Sequence, residues 1–450
     1  MPPKVTLTIT EGTLKGQEFI FDSRTTCIIG RSPDCNPKLP DDETHRTISR
    51  YHCLLDINPP DIRVRDFGSK NGTFVNGTKI GQRQPEQTPE EGAKLIFPEY
   101  DLKTNDEIQL GNTVLQVNIE ANKEVETSRT SQPELNINSK ETGSDEKVRQ
   151  LLQQANSGNS DLLSIQGYTI LKGLGKGRFS AVYLARHQET GQEVALKVML
   201  PAVATNPNVI NFFLQEINNT QLLNHPNIIK VLNSGYYDGI FFFTLEYCNG
   251  DNLFNLMRQK GGRLSIDEAI PIIMQVLNGL EYAHQTDIPY VKLANGSFAR
   301  GRGLVHRDLK PSNIFIKNTN SDRIIKIGDY ALSKTFDQAG LSGQSMSGTK
   351  AETPAFMPRQ QMINFKYIKP EIDIWAAAAC LYFILTGAFP RDFVGDPFLA
   401  VLQTNAVPIR KRDNSIPKYL AELIDLALVD KPEIHFKDAI SFKQALSSVF

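Results

Sequence analysis

The chain has 450 residues, and at roughly 100 to 200 residues per domain that length calls for two or three folded units rather than one core. Its 49 basic and 50 acidic side chains nearly cancel, so no net field draws it to nucleic acid or to an anionic membrane, and any recognition of phosphate must be local. The five cysteines are scattered and include no Cys-x-x-Cys pair, which argues against a disulfide framework and a zinc site and for a reducing, cytoplasmic setting.

The first segment alternates apolar and polar residues, as in Val5-Thr6-Leu7-Thr8-Ile9 and Ile62-Arg63-Val64, with Asn-Gly and Gly-rich turns between them. That is the pattern of a small all-β domain. Within it come Gly30-Arg31, Ser49-Arg50-Tyr51-His52, Ser69-Lys70-Asn71-Gly72-Thr73 and Asn76-Gly77. This order and spacing resemble a forkhead-associated domain, an all-β sandwich that reads phosphothreonine, over residues 1–119. The resemblance implies that Arg31 gives phosphate a bidentate charged donor, Ser49 a hydroxyl and Arg50 a second cation. It also implies that Asn71 holds the backbone of the bound peptide, and His52 is expected to brace the loops from inside. The Gln-, Pro- and Glu-rich segment 82–91 reads as a loop away from the site.

Residues 120–164 read as a linker, because Glu, Lys, Ser, Thr and Asn dominate its first half and cannot bury enough surface to fold alone. Near its end Val148, Leu151, Leu152 and Ala155 recur at helical spacing, which fits either a docked amphipathic helix or a transient one. Beyond it, strand-like segments at 168–171, 181–186 and 193–199 precede longer helical patterns at 266–284 and 372–385. That order describes a small sheet-rich lobe joined to a larger helical one. The apolar run 374–385 falls short of the ~20 residues a membrane span requires and reads as a buried helix.

The chemistry of this second region is carried by strings in fixed order. Gly175-Lys176-Gly177-Arg178-Phe179-Ser180-Ala181-Val182 lies between two strands, where small residues let backbone N–H groups approach phosphates. Val194-Ala195-Leu196-Lys197 follows, then Glu216 on a helical segment, then Leu245-Glu246-Tyr247-Cys248. In His306-Arg307-Asp308-Leu309-Lys310-Pro311-Ser312-Asn313, Asp308 can orient a hydroxyl and take its proton, and Lys310 can neutralise charge on a moving phosphoryl. Asn313 can hold a metal through its side-chain oxygen, and Ile327-Gly328-Asp329-Tyr330-Ala331 follows.

Together these strings resemble the bacterial eukaryotic-like (Hanks-type) Ser/Thr protein kinases, with a bilobal α+β protein kinase fold over residues 165–450. The resemblance implies an ATP site built on Gly175, Gly177, Ser180, Val182, Ala195 and Lys197. Glu216 would pair with Lys197, Leu245 would set the depth of the adenine pocket, and the backbones of Glu246 and Cys248 would meet the adenine edge. Magnesium, with manganese as its substitute, would sit on Asn313 and Asp329, and Thr353 would partner Asp308 and Lys310. Thr349 in the activation segment and Thr127, Thr130 and Thr142 in the linker are candidate sites of self-phosphorylation.

Some positions depart from the family pattern. Ser180 replaces a glycine, and Ala331 replaces the mobile glycine after Asp329, which predicts a stiffer turn. Gln360 and His435 replace an acid and an arginine that normally pair, a double change that reads as compensated. Asp373 is expected to steady the catalytic loop, and the insertion 285–303 reads as a solvated loop, with a docking site for acidic partners or a self-phosphorylated segment as the alternatives. The resulting expectation is a cytoplasmic Ser/Thr kinase that both writes and reads phosphothreonine. Its partners would be protein substrates and phosphothreonine peptides, in cis or in trans. The alternative is a non-catalytic pseudokinase scaffold recruited through its reader domain.

Overall fold

Alternation shapes the N-terminal region, where Val5, Leu7 and Ile9 of the first strand are buried and Thr8 and Thr10 only partly so. The computed structural model describes residues 4–22, 25–33, 35–88, 91, 95, 97–120, 164–165, 167–176, 180–199, 220–237, 240–292, 298–320, 322–330, 352–363, 369–393 and 397–450. Gly177, Glu216, Ala331, Thr349 and the linker threonines Thr127, Thr130 and Thr142 lie outside the described residues.

Among the described residues, ten strands build the N-terminal region: β1 (Lys4–Glu11), β2 (Glu18–Phe21), β3 (Thr25–Ile29), β4 (Cys53–Asn58), β5 (Asp61–Asp66), β6 (Thr73–Val75), β7 (Thr78–Gly81), β8 (Tyr100–Leu102), β9 (Glu107–Leu110) and β10 (Thr113–Glu120). They form two antiparallel sheets, ordered β2-β1-β10-β9-β6-β7 and β3-β4-β5-β8. Leu7, Ile29, Leu55, Val64, Ile108 and Leu115 meet in the core that the sheets enclose.

By contacts the chain divides into two units, Met1–Asn122 with Asn252–Ile314 and Phe336–Phe450, and Lys123–Asp251 with Phe315–Thr335. In the second unit β11 (Ser164–Ile165), β12 (Tyr168–Lys176), β13 (Ser180–His187), β14 (Glu193–Met199), β15 (Val231–Tyr237) and β16 (Ile240–Glu246) pair antiparallel in the order β11-β12-β13-β14-β16-β15. Ile170, Ala185, Leu196 and Phe242 pack on one another within it.

In the first unit, helix α1 (Leu253–Gln259) is capped by Asn252, whose side chain accepts from the Asn255 amide at 2.9 Å. Helix α2 (Ile266–Gln285) opens with Ser265 accepting from the Glu268 amide, the Ser-x-x-Glu signature of a capping box. After it, the insertion expected as a loop folds instead into a hairpin of β17 (Asp287–Lys292) and β18 (Phe298–Arg302). Two features pin the hairpin to the end of α2: Ile288 is buried, and Gly303 (φ 90°) donates to the Thr286 carbonyl where a Cβ would crowd His284. In the second unit, β19 (Ile314–Asn318) pairs with β20 (Arg323–Ile327).

Further helices among the described residues are α3 (Glu352–Ala355), α4 (Arg359–Ile363), α5 (Glu371–Thr386), α6 (Pro397–Gln403), α7 (Lys418–Ala427) and α8 (Ala439–Val449). As its apolar run foretells, α5 is buried on every side from Ile372 to Leu385, and it ends at Gly387 in the left-handed conformation. No described helix is long and apolar enough to cross a membrane.

Strands β3 and β4 each carry a buried apolar residue on their second face as well. Cys27, Ile29, Cys53 and Leu55 enter the sandwich core, while the intervening Ile28 and Leu54 join a separate buried cluster with Met362, Phe398, Val401 and Leu402. This cluster is why the contact division groups the sandwich with the helices, across the boundaries that the sequence alone suggests.

Candidate active site and phosphate-reading loops

At the rim of the sandwich, Gly30 is required by close approach, since a Cβ there would lie 2.2 Å from the Arg50 carbonyl oxygen. Arg31 donates from Nε to the Ile48 carbonyl at 2.6 Å and forms an ion pair with Asp41. Ser49 Oγ accepts from the Lys70 amide at 2.9 Å, and Asn71 Nδ2 donates to the Thr47 carbonyl at 2.6 Å. These bonds bring the loops bearing Arg31, Ser49 and Asn71 together, and Arg50 beside them is exposed. His52 lies inside, as expected. Its Nδ1 accepts from the Ser49 amide at 2.9 Å, its Nε2 donates to the Gly72 carbonyl at 3.0 Å, and burial pushes its pKa down.

Two features here escaped the sequence reading. The buried carboxylate of Asp66 takes the Ser69 amide at 2.9 Å and the Ser69 and Thr73 hydroxyls at 2.6 Å each. The signal for it was an Asp three places before a Ser at a strand end, a turn in which the side chain mimics backbone. The segment 82–91 also does not stand wholly apart. Gln82 donates to the Lys70 carbonyl at 2.8 Å and Arg83 to those of Ser69 and Gly68, because its first residues continue the strand that borders this loop.

In the second unit, the sheet register sets Lys197 on β14 opposite Val182 and Phe243, and Ala195 opposite Leu245. Lys197 Nζ reaches Asp329 Oδ1 at 2.7 Å, with the lysine buried and the carboxylate one-third exposed. Asp329 has φ 58°, a conformation rare for a non-glycine residue and held here by packing, since Gly328 before it has no room for a Cβ beside Phe315 and Ile229. Gly175 pairs with Val182, and Ser180 is buried. Glu246 turns its carboxylate to Lys317 at 2.6 Å and Lys326 at 2.8 Å. Burial alone would raise its pKa, but these two lysines lower it. Its amide is taken up by the Lys230 carbonyl, so any contact with adenine falls to its own carbonyl and to half-buried Cys248.

In the first unit, the catalytic-loop string hangs on Asp373, in the first turn of α5. This buried carboxylate accepts from the His306 amide at 2.7 Å, the Arg307 amide at 2.9 Å and His284 Nε2 at 2.8 Å. The grip holds Arg307 at φ 70°, and the Asp308 side chain beside it is partly buried. Lys310 Nζ lies 2.8 and 3.0 Å from the Asp308 carboxylate oxygens. Asn313 Nδ2 donates to the Asp308 carbonyl at 2.8 Å and carboxylate at 3.1 Å, leaving its side-chain oxygen as the atom a metal would use. Thr353 belongs to α3, and its side chain lies outside the described residues.

Burial by itself would raise the Asp373 carboxyl, but the His284 hydrogen bond and the charge and amide of His306 outweigh it and hold it below its ordinary 3.8. A carboxyl lowered in the folded state adds stability that is complete above its unfolded pKa and lost as pH falls through the lowered value. The stability gap between native protein and Asp373→Asn should therefore stay constant from about pH 7 to 5 and narrow below about pH 4. Urea unfolding across that range measures it, and a gap that widens on acidification would refute this account of Asp373.

The replaced ion pair resolves in a way the sequence did not suggest. Gln360 donates to the Asp430 carbonyl at 2.6 Å, and the His435 ring packs edge-on against Phe436. Charge is carried instead by Arg359 and Arg391, both buried and both paired with the Asp430 carboxylate. Arg359 also reaches the Leu402 carbonyl at 2.9 Å, and Arg391 the Met357 carbonyl at 3.0 Å, with its guanidinium over the Trp375 ring.

Comparison with known proteins gives two family matches, the protein kinase domain over residues 168–433 and the FHA domain over residues 27–111. The chain is 31% identical over 258 residues to the carbon catabolite-derepressing protein kinase of Candida albicans, a match covering 56% of this chain and 36% of that protein. It is 27% identical over 276 residues to a probable serine/threonine-protein kinase of Clostridium perfringens, covering 60% of this chain and 36% of the other. The chain thus spans little more than a third of the length of these curated relatives. Among solved structures, the Mycobacterium tuberculosis PknI kinase domain aligns at a TM-score of 0.46 and 23% identity, over 64% of this chain and 97% of that one.

Proposed function

The chain belongs to the protein kinase family and carries an FHA domain, and from that premise we propose that it is a cytoplasmic, ATP-dependent serine/threonine protein kinase that also reads phosphothreonine. The observation that carries this reading is Asp308, projected from a loop tied to buried Asp373 and met by Lys310 and Asn313. Asp308 orients the acceptor hydroxyl and takes its proton as the oxygen attacks the γ-phosphorus of ATP, and Lys310 offers its ammonium to the transferring group. Lys197 presents a cation for the nucleotide phosphates. The carboxylate of Asp329 and the amide oxygen of Asn313 are each hard oxygen donors of the kind magnesium takes. Magnesium, when bound, offsets phosphate charge. Glu216 as partner of Lys197, Gly177 in the phosphate loop and Thr349 as a self-phosphorylated residue belong to the same proposal.

In the FHA domain Arg31, Ser49, Arg50 and Asn71 would take a phosphothreonine peptide, with phosphate displacing Asp41 from Arg31. Charged hydrogen bonds contribute about 1.5–3 kcal/mol each, so Arg31→Ala should weaken phosphopeptide binding by roughly 10- to 100-fold. Calorimetric titration with a phosphothreonine peptide reads this out. Equal affinity of native and variant protein would remove Arg31 from the site.

The kinase reading is tested by incubating the protein with magnesium-ATP and Ser/Thr peptides and locating phosphate by mass spectrometry. Phosphate on serine or threonine is the expected result. Nucleotide binding without transfer to the protein or to any peptide would overturn it.

A further inference from the structure

A sandwich sheet with one face in water alternates apolar and polar residues. Strands β3 and β4 do not, because their outer face carries Ile28 and Leu54, 7% and 1% exposed, continued by Phe67. Met362 of α4 and Phe398 and Leu402 of α6 cover that face, and β3 lies directly against α4. Side chains from both regions are as inaccessible as an ordinary core, so neither surface is open to solvent.

Both sides of this contact adjoin a functional loop. On the sandwich side, β3 runs straight into Gly30 and Arg31, and Leu54 comes just after His52, the imidazole that joins the Ser49 amide to the Gly72 carbonyl. On the helical side, Met362 follows Gln361, whose side-chain amide donates at 2.7 Å to the Arg307 carbonyl, next to Asp308. Behind that surface, Arg359 and Arg391 fix the carbonyls of Leu402 and Met357, so it is firmly backed.

We propose that the outer face of β3–β4 is a docking surface for this chain's own α4–α6 surface, and that through it the phosphate-reading loops and the catalytic loop influence each other. The docking rests on the fold, and the coupling rests on the function proposed above. A peptide that tightens the loops around Arg31 shifts β3 and β4 against α4, and Gln361 passes that shift to the turn that projects Asp308. By reciprocity, occupancy of the acceptor site alters the affinity of the reader.

A protease site placed within residues 123–163 of the full chain, and cut after folding, removes the tether while leaving both surfaces intact. The pieces should leave a sizing column together at the mass of one chain. Leu54→Asp or Phe398→Asp should each separate them, whereas Ile20→Asp, at a position 60% exposed, should not. Because the two variants alter opposite sides, misfolding of one cannot imitate the result, and cooperative thermal unfolding of each released piece verifies its fold. Pieces that part without substitution, that travel together only at twice that mass, or that stay together in both variants overturn the docking. In the uncut chain, a phosphothreonine peptide should change the KM for an acceptor peptide by about 5-fold or more, an effect lost in Leu54→Asp. An unchanged KM in the native chain overturns the coupling. Co-eluting pieces from a chain that transfers no phosphate would overturn the kinase reading and leave the docking supported.

Discussion

Asp308→Asn is expected to lower the rate of phosphate transfer to a peptide by about 100- to 10,000-fold, the range that a positioned proton acceptor supplies. The substitution keeps the shape of the side chain and removes its charge. Lys310 then loses the carboxylate that holds its ammonium 2.8 Å away, and Asn313 meets an amide in place of an anion. ATP affinity should stay within about 2-fold, because Lys197 and Asp329 pair independently of this loop. Stability should change little, because Asp308 is only partly buried and its loop is held by Asp373. Initial rates with a peptide acceptor, together with nucleotide titration, separate the two quantities. Equal rates in native and variant protein would leave the non-catalytic scaffold as the surviving reading.

Asp430→Asn should be the most destabilising single change among the buried ion pairs. It leaves two buried guanidiniums, Arg359 and Arg391, without their counter-charge. Breaking a buried pair in this way typically costs about 3–5 kcal/mol, because the remaining charge has lost both its water and its partner. Burial already lowers the Arg391 pKa to about 10 against the opposing attraction of Asp430, so the strain of holding that charge inside is present in the native protein. For a domain of this size the loss corresponds to a drop of roughly 10 °C in Tm, readable by scanning calorimetry. A shift under about 2 °C would show that the carbonyls of Thr404, Leu402 and Met357 satisfy both arginines unaided.

Where one stretch of chain carries the physics, the sequence is readable. The alternation of Val5, Leu7 and Ile9 gives a strand with one core face, and the string from His306 to Asn313 makes hydrogen bonds within itself as well as onto Asp373. Legibility fails where partners lie far apart or where two environments compete for one strand. Nothing near Asp430 indicates that it pairs with residues 359 and 391, and the altered Gln360 drew attention to the wrong neighbour. The second environment of Ile28 and Leu54 has no signal in the sequence, because period-two alternation says which residues face alike but not what lies beyond the second face. The hairpin in the insertion was missed because its short strands depend on contacts with the end of α2. The parts assigned to Gly177, Glu216 and Thr349 lie outside the described residues and remain readings of sequence.

If Arg31 takes phosphate as proposed, its ion pair with Asp41 would make recognition at the reader loops an exchange and not a capture. The guanidinium already has an anion at rest, so a ligand gains only by the amount it outdoes a carboxylate tethered on the same rim. A phosphate, with its second charge and additional oxygens, can do so, while an acidic side chain presented in its place offers Arg31 nothing that it lacks. On that proposal, discrimination between a phosphorylated residue and an aspartate or glutamate standing in for one would be supplied by the protein's own competing ligand before any partner arrives.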